Sequence, residues 1–383
     1  MKILMLNYEY PPLGAGAGVI TQHISEGLVK LGNHVTVLTT WLPDIEEKQV
    51  DDNLKIIRLR SKRKHVYKSD PFEMLSWILK SKAFLKEFCQ SERFDVCFAN
   101  FALPGGEVAL YLKNHFDIPY VLISHGHDIP WFFPQQMFAY HLFTYFWIKR
   151  ICMDSEANFI QTSEMKDNID KFLGRKLADK NIIVPNGLDE PSNNPDFSQK
   201  SKIFKIVFVG RLVKQKDPFT FLKAIKLFSE GNKEFVVHIL GDGPLRRKME
   251  NFVENNNLEK NVSFLGWISE QEVIKEYQSA NLHVAPSLSE GMSIAILESL
   301  SLGQYIITTP VSCNRELIEE YVNGELMDIG DHRALFHKIR NYYEDKFLKG
   351  YCVPVSSITE IRLKYSWSNI VKEYDETLRQ VVN

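Results

Sequence analysis

The chain has 383 residues, 44% hydrophobic and 25% charged, and its 46 Lys plus Arg against 48 Asp plus Glu leave a net charge of -2. That length is too great for one small domain and suits two of roughly 150–200 residues. The charge balance argues against a domain-wide basic nucleic-acid binder, though not against a local basic patch.

Cys89, Cys97, Cys152, Cys313 and Cys352 are scattered, odd in number and form no C-x-x-C. A disulfide framework or zinc site is therefore not expected, and reduced thiols in a cytosolic setting fit better. The opening apolar run is too short for a signal peptide and is broken by Asn7 and Glu9. The other long apolar run, 129–148, is interrupted by Pro134, Gln135, Gln136 and His141, which makes a poor membrane-spanning helix. A soluble, cytoplasmic chain is expected.

Residues 3–6 form a continuous apolar run of the kind that suits a strand buried on both faces of a parallel sheet. A helical spacing follows (Val19, Ile20, His23, Ile24, Leu28, Leu31), then a second strand over 34–39, which together make a βαβ unit. Further strands are expected over 55–59, 96–99, 120–124 and 159–162. The pattern restarts with a strand over 204–209, a helix over 219–228 and strands over 235–240, 262–265, 282–285 and 305–308. The stretch 190–201, rich in Pro, Asn, Ser and Asp, reads as a linker between two doubly wound α/β halves. Ligands of such sheets bind beyond the carboxyl ends of the strands, so the residues just after each strand carry the functional argument.

After the first strand comes Pro11-Pro12-Leu13-Gly14-Ala15-Gly16-Ala17-Gly18. Glycines permit close backbone approach, and a following helix N-terminus offers N–H groups to an anion. A tight strand-to-helix turn explains the same residues. The dinucleotide fingerprint is only half met, and the second strand ends in Thr39-Thr40-Trp41 with no acid for a ribose. Ser124-His125-Gly126-His127-Asp128 follows the fifth strand. Its spacing fails for a metal site of the H-x-H-x-D-H kind. A histidine giving a hydrogen bond to a substrate is the favoured reading, with a buried structural histidine as the alternative.

In the second half, Arg211 and Lys216 lie five residues apart on a strand-to-helix loop, a planar fork and a mobile point charge for phosphate oxygens. The sharpest feature is Ser289-Glu290-Gly291-Met292-Ser293-Ile294-Ala295-Ile296-Leu297-Glu298, with a helix expected to start near Met292. Glu298 then shares a face with Ile294, Ala295, Ser301 and Leu302, where a carboxylate needs a partner such as a sugar diol. Glu290 lies in the loop before the helix. The competing reading is a dipole-complementing Glu290 and a salt-bridged Glu298.

Together these segments resemble the retaining, GT-B-fold glycosyltransferases of family 4, the group-1 glycosyltransferases. The resemblance also rests on Val184-Pro185-Asn186-Gly187-Leu188-Asp189, Gly241-Asp242-Gly243-Pro244-Leu245, Phe264-Leu265-Gly266-Trp267 and the final Tyr365-Ser366-Trp367 segment. It implies two Rossmann-like domains facing across a cleft: 1–190 on the acceptor side, 201–365 for the donor, and a helix over 366–383 crossing back to the first. It implies that Arg211 and Lys216 bind the donor diphosphate, Glu290 the donor sugar and Glu298 the ribose. Backbone near Ile268 would meet the base, Gly16 would approach a phosphate, and Gly291, Met292 and Ser293 would line the sugar site. His125 would sit near the anomeric centre, with Glu290 the other catalytic residue. The chain departs from the family at Met292, where an aromatic side chain is usual nearby, at Asp217, where glycine is common, and at Ala15, which interrupts the glycine run.

The expected reaction is transfer of a hexosyl unit from a UDP- or GDP-linked sugar to a saccharide or lipid-linked saccharide acceptor, with retention and without a metal or other cofactor. A nucleotide-sugar 2-epimerase and a non-catalytic sugar-nucleotide binder remain as alternatives, and no nucleic-acid partner is expected. Two segments, the basic cluster Arg58, Arg60, Lys62, Arg63, Lys64 and Lys68 and the aromatic stretch from Trp131-Phe132-Phe133 to Tyr145-Phe146-Trp147-Ile148-Lys149-Arg150, suggest peripheral contact with the inner face of a membrane. A solvated basic loop and a core helix would explain them equally.

Overall fold

The structure is a computed structural model that describes the chain apart from residues 15, 67, 68, 127, 129, 131–133, 190–194, 233 and 383 and the side chains at 134–137 and 175. It divides into two compact units, Met1–Gly187 with Ser366–Asn383, and Leu188–Tyr365.

The first unit is built on eight strands: β1 (Lys2–Leu6), β2 (His34–Thr40), β3 (Lys48–Asp51), β4 (Leu54–Leu59), β5 (Val96–Asn100), β6 (Tyr120–Ile123), β7 (Ala157–Ile160) and β8 (Asn181–Ile183). Their order is β3-β4-β2-β1-β5-β6-β7-β8. All pairs are parallel except β3 on β4. The central strands are continuous apolar runs because helices cover both faces, leaving no solvent side to alternate with. Those helices are α1 (Gly16–Lys30), α2 (Pro71–Ser91), α3 (Glu107–Phe116), α4 (Pro134–Asp154) and α5 (Ser163–Leu173). Asp70 caps α2 in a full capping box with Glu73, and Pro71 sits at the first helical position. The run expected to make a poor spanning helix is largely α4. No helix among the described residues is long and apolar enough to cross a membrane.

The second unit carries β9 (Phe204–Val209), β10 (Phe235–Leu240), β11 (Val262–Gly266), β12 (Leu282–Ala285), β13 (Tyr305–Thr308) and β14 (Gly324–Leu326) in the order β11-β10-β9-β12-β13-β14. Every pair is parallel. Its helices are α6 (Pro218–Gly231), α7 (Arg246–Asn255), α8 (Glu270–Ser279), α9 (Ile294–Ser301), α10 (Asn314–Leu317), α11 (His332–Tyr342) and α12 (Val355–Lys364). The helix expected near Met292 begins at Ile294, with Ser293 at the cap. Within the expected linker, 190–194 lie outside the described residues, while Phe197–Gln199 forms a short 3-10 turn. The Leu188 N–H donates to the Tyr365 carbonyl at 2.7 Å, fastening the start of this unit to its end.

The chain then returns to the first unit as α13 (Trp367–Val382). Trp367 stacks on His23 of α1 at 4.9 Å and covers Gly187, where a Cβ would collide with the indole. Tyr374 packs edge-on against Phe98 and Phe159, and Asn33 donates to Asp375 at 2.7 Å. In each sheet the strand order reverses at one place, between β1 and β5 and between β9 and β12. In open α/β sheets ligands bind outside the carboxyl ends of the strands at such points.

Candidate active site

In the second unit, Gly210 follows the last residue of β9, and the Gly210 N–H donates to the Leu240 carbonyl at 3.0 Å. Gly241 lies against the Gly210 carbonyl so closely that a Cβ there would strike it, and its φ is +116°. Leu212 N–H donates to Asp242 at 2.9 Å and Leu245 N–H to Leu212 at 3.0 Å. The two strand-end loops thus brace each other and fix the turn that bears Arg211 and Lys216. Asp217 occupies the position where the resemblance favours glycine because its φ is +43°. Aspartate is among the few L-residues that tolerate this conformation, and its carboxylate also caps α6 by accepting the Thr220 N–H.

The loop after β12 is tied to the same turn. Leu288 N–H donates to the Gln215 carbonyl at 2.8 Å, and the Gln215 side chain donates to the Ser289 carbonyl at 3.0 Å. Lys216 Nζ then meets Glu290 Oε1 at 2.5 Å, and Ser287 Oγ donates to that oxygen at 2.6 Å. Glu290 is buried. Arg211, by contrast, is exposed and its guanidinium takes no partner among the described residues. The structure therefore brings Arg211, Lys216 and Glu290 to one switch point, with Lys216 bound to Glu290. Gln215 and Ser287, which hold this arrangement, were not singled out in the sequence. Neither was His283 on β12, a wholly buried imidazole kept neutral with its pKa pushed down to about 3 by burial and by Lys216.

Glu298 lies mid-helix on α9, and its side-chain carboxylate accepts no hydrogen bond among the described residues. Burial, with Glu270 and Asp189 adding repulsion, pushes its carboxyl up to about 7. Among the described residues no cation pairs with Glu298, as the salt-bridged alternative would require. Ile268 packs beside the cluster of Val207, Leu240 and Tyr277. Met292 joins a second cluster with Ile296 and Leu300, while Gly291 remains partly exposed and Ser293 is buried at the cap.

In the first unit, Gly16 opens α1 and is exposed. His125 follows β6 and is partly buried, with the Phe101 ring 4.7 Å away. Its Nε2 lies 3.1 Å from Asn100 Oδ1 at the end of β5. Burial depresses its pKa to about 3, so the imidazole is neutral. Asp128 accepts the N–H groups of His125 at 3.0 Å and Ala102 at 3.1 Å, bracing the turn. His127 lies outside the described residues. Among the described residues no cluster of three His, Cys, Asp or Glu side chains is placed to hold a metal.

The basic cluster is corrected by the structure. Arg63 is buried, donating to the carbonyls of Tyr8, His65 and Val66 and covering the Tyr8 ring. Arg58 is buried too, donating to Glu46 and Pro11 carbonyls. Both serve the first-strand loop rather than solvent, because carbonyls turned inward there need donors. Arg60 pairs with Glu47 and lies over Trp41. Lys62 and Lys64 are exposed, while Lys68 and Trp131-Phe132-Phe133 lie outside the described residues.

Two family models match the chain in succession: Glycosyltransferase Family 4 over residues 14–190 and Glycosyl transferases group 1 over 189–353. An uncharacterized glycosyltransferase of Methanocaldococcus jannaschii is 26% identical over 98% of both chains. The UDP-Gal:alpha-D-GlcNAc-diphosphoundecaprenol alpha-1,3-galactosyltransferase of Escherichia coli is 31% identical over 43% of this chain and 46% of its own. Sucrose-phosphate synthase from Thermosynechococcus elongatus has the same fold, with a TM-score of 0.86 at 17% identity, covering 100% of this chain and 99% of that one. With Rossmann-like sheets in both units and a family match running through both, the chain belongs to the group-1 glycosyltransferases of the GT-B fold.

Proposed function

We propose that the protein moves a hexosyl unit from a nucleoside diphosphate sugar, UDP-linked in the first instance, to an acceptor hydroxyl with retention of configuration and without a metal. The acceptor belongs to cell-surface polysaccharide or glycolipid synthesis. The observation that carries this reading is the switch-point arrangement at the ends of β9 and β12: an open guanidinium at Arg211 beside an ammonium, Lys216, already paired to Glu290. Departure of the diphosphate builds negative charge on its oxygens, and fixed cations aimed there lower the barrier without the reorganisation that water would need. Glu298, half-buried and with no side-chain partner among the described residues, offers a carboxylate to two ribose hydroxyls. The leaving phosphate oxygen takes the proton of the acceptor hydroxyl on the same face, so bond breaking and bond making share one side of the sugar. The Escherichia coli relative, which by its name uses UDP-Gal and a diphosphoundecaprenol-linked sugar, supports both the UDP and the lipid-linked acceptor. Thermal shift and hydrolysis across a panel of UDP- and GDP-sugars test the reading: stabilisation and slow hydrolysis with a UDP-hexose are expected. No response to any sugar nucleotide would overturn it.

The acceptor side we assign to α4 and α2 of the first unit, resting on an anionic membrane. On α4, Phe143 is 86% and Phe146 83% exposed, in line with Phe138, Leu142 and Trp147 along one face, with Arg150 at its end. On α2, Phe72, Leu75 and Leu79 are exposed, and Lys62 and Lys64 lie just before the helix. Glu107 of α3 ties the two helices, accepting from Lys82 on α2 at 2.5 Å and from Trp147 on α4 at 2.6 Å. Aromatics beside cations suit the headgroup level of a bilayer.

A further inference from the structure

The polar residues at the switch point of the first sheet form a hydrogen-bonded network that converges on Asn100 and includes His125. The Glu9 N–H donates to Asn7 Oδ1 at 3.0 Å, so the Asn7 amide must present Nδ2 to Thr21 Oγ1, which it reaches at 2.6 Å. Thr21 Oγ1 lies 2.9 Å from Asn100 Oδ1 and 2.8 Å from the Ala17 carbonyl, two acceptors for its single hydrogen. Asn100 Nδ2 faces the Leu6 carbonyl at 3.4 Å. A carbonyl can only accept, so the amide is fixed with Oδ1 turned away from it, toward His125. Asn100 itself is wholly buried.

We infer that Asn100, oriented by Leu6 and Thr21, is a positioning residue that holds the proton of His125 on Nε2 and leaves Nδ1 as a standing hydrogen-bond acceptor for a substrate hydroxyl. Nδ1 has no partner among the described residues. A neutral imidazole with one nitrogen committed as donor to Asn100 has only a lone pair left for the substrate. This reverses the direction expected from the sequence, where the histidine gives a hydrogen bond. It also selects the chemistry: Nδ1 suits a sugar O–H and repels an unprotonated phosphate oxygen. The inference rests on the reading, implied by the family resemblance, that His125 meets the substrate, but the tautomer itself is a property of the free protein.

The experiment is long-range proton–nitrogen NMR on the full chain labelled with nitrogen-15 histidine, His125 being assigned by its loss in His125→Gln. A pyrrole-type Nε2 with a pyridine-type Nδ1 is expected in the ligand-free protein, unchanged from pH 6 to 8. Asn100→Ala should give mixed tautomers and lower the turnover of UDP-galactose about five- to ten-fold, the equivalent of one neutral hydrogen bond, with KM nearly constant. A proton on Nδ1 in the wild type overturns the inference whether or not the variant folds. A single Nε2–H tautomer retained in folded Asn100→Ala overturns the role of Asn100. If His125→Ala turns over UDP-galactose normally, the placing of His125 fails while the tautomer result stands.

Discussion

Lys216 Nζ and Glu290 Oε1 meet at 2.5 Å across the ends of β9 and β12, and Ser287 shares the same carboxylate oxygen. The pair occupies one oxygen of Glu290 and leaves Oε2 for a ligand, while the ammonium keeps two further protons. Glu290→Ala should therefore spare free UDP and weaken UDP-sugar use, whereas Lys216→Ala should weaken both. Loss of a charge-assisted hydrogen bond costs about 1.5–3 kcal/mol, or roughly ten-fold to a hundred-fold. Calorimetric titration with UDP and UDP-galactose separates the cases. Equal losses for both ligands in Glu290→Ala would contradict the assigned division of labour.

Glu298 makes a pH prediction. Its carboxyl is raised from 4.5 to about 7 in the folded chain. Below the unfolded value both states are protonated and the group's stabilising contribution is complete. As pH climbs toward 7 the unfolded chain ionises first, so stability falls by on the order of 1–3 kcal/mol and then levels off. Glu298→Gln should remove this slope and melt higher than wild type at pH 8. The ionised form accepts ribose hydroxyls best, so UDP-galactose affinity should rise with pH through 7 in the wild type only. A wild-type melting curve flat between pH 5 and 8 would count against a raised carboxyl at Glu298.

The sequence made parts of this legible for physical reasons. β1, β9, β10 and β13 are apolar runs that no amphipathic helix would contain, and Glu298 is a lone acid in an apolar helix. β3 reads Lys48-Gln49-Val50-Asp51, fully exposed at the sheet edge, so no burial pattern marks it. β8 and β14 are three residues each, too short to show a period. The burial of Arg58 and Arg63 was invisible because their partners are backbone carbonyls, which leave no trace in side-chain identity. Asn100 and Thr21 were missed because they are 79 residues apart and meet only through the β1–β5 pairing.

The proposed metal independence is tested through the cations. If Arg211 and Lys216 supply the positive potential at the leaving group, hydrolysis of UDP-galactose should survive excess EDTA, and Arg211→Ala should lower it by about ten-fold to a hundred-fold. Abolition by chelation with rescue by manganese or magnesium would sink this account.

Arg63 and Arg60 should differ sharply. Arg63→Ala strands three carbonyls and removes the cover from Tyr8, at an expected cost of about 2–4 kcal/mol in urea unfolding. Arg60→Ala touches an exposed pair with Glu47 and should cost under about 1 kcal/mol. Similar small losses for both would place Arg63 in solvent after all.

The α4 face gives the last test. Phe143 and Phe146 expose nearly their whole rings one turn apart, and Arg150 continues the row while holding Asp154 at only 3.7 Å. Inserting two phenyl rings at the headgroup level contributes apolar burial of a few kcal/mol, on the order of 1.5–3 per ring when buried fully. Each exposed cation adds about 1 kcal/mol on an anionic surface and nothing on a neutral one. Co-sedimentation should therefore show binding to phosphatidylglycerol vesicles at low salt and weaker binding at high salt. Phe143→Ser with Phe146→Ser should abolish binding while UDP affinity stays unchanged, because both rings lie in the first unit and the Arg211, Lys216 and Glu298 set in the second. Arg58 and Arg63 are committed to carbonyls, so Lys62 and Lys64 should carry the salt dependence contributed by that loop. Wild-type protein that ignores anionic vesicles at low salt would return α4 to an ordinary surface helix.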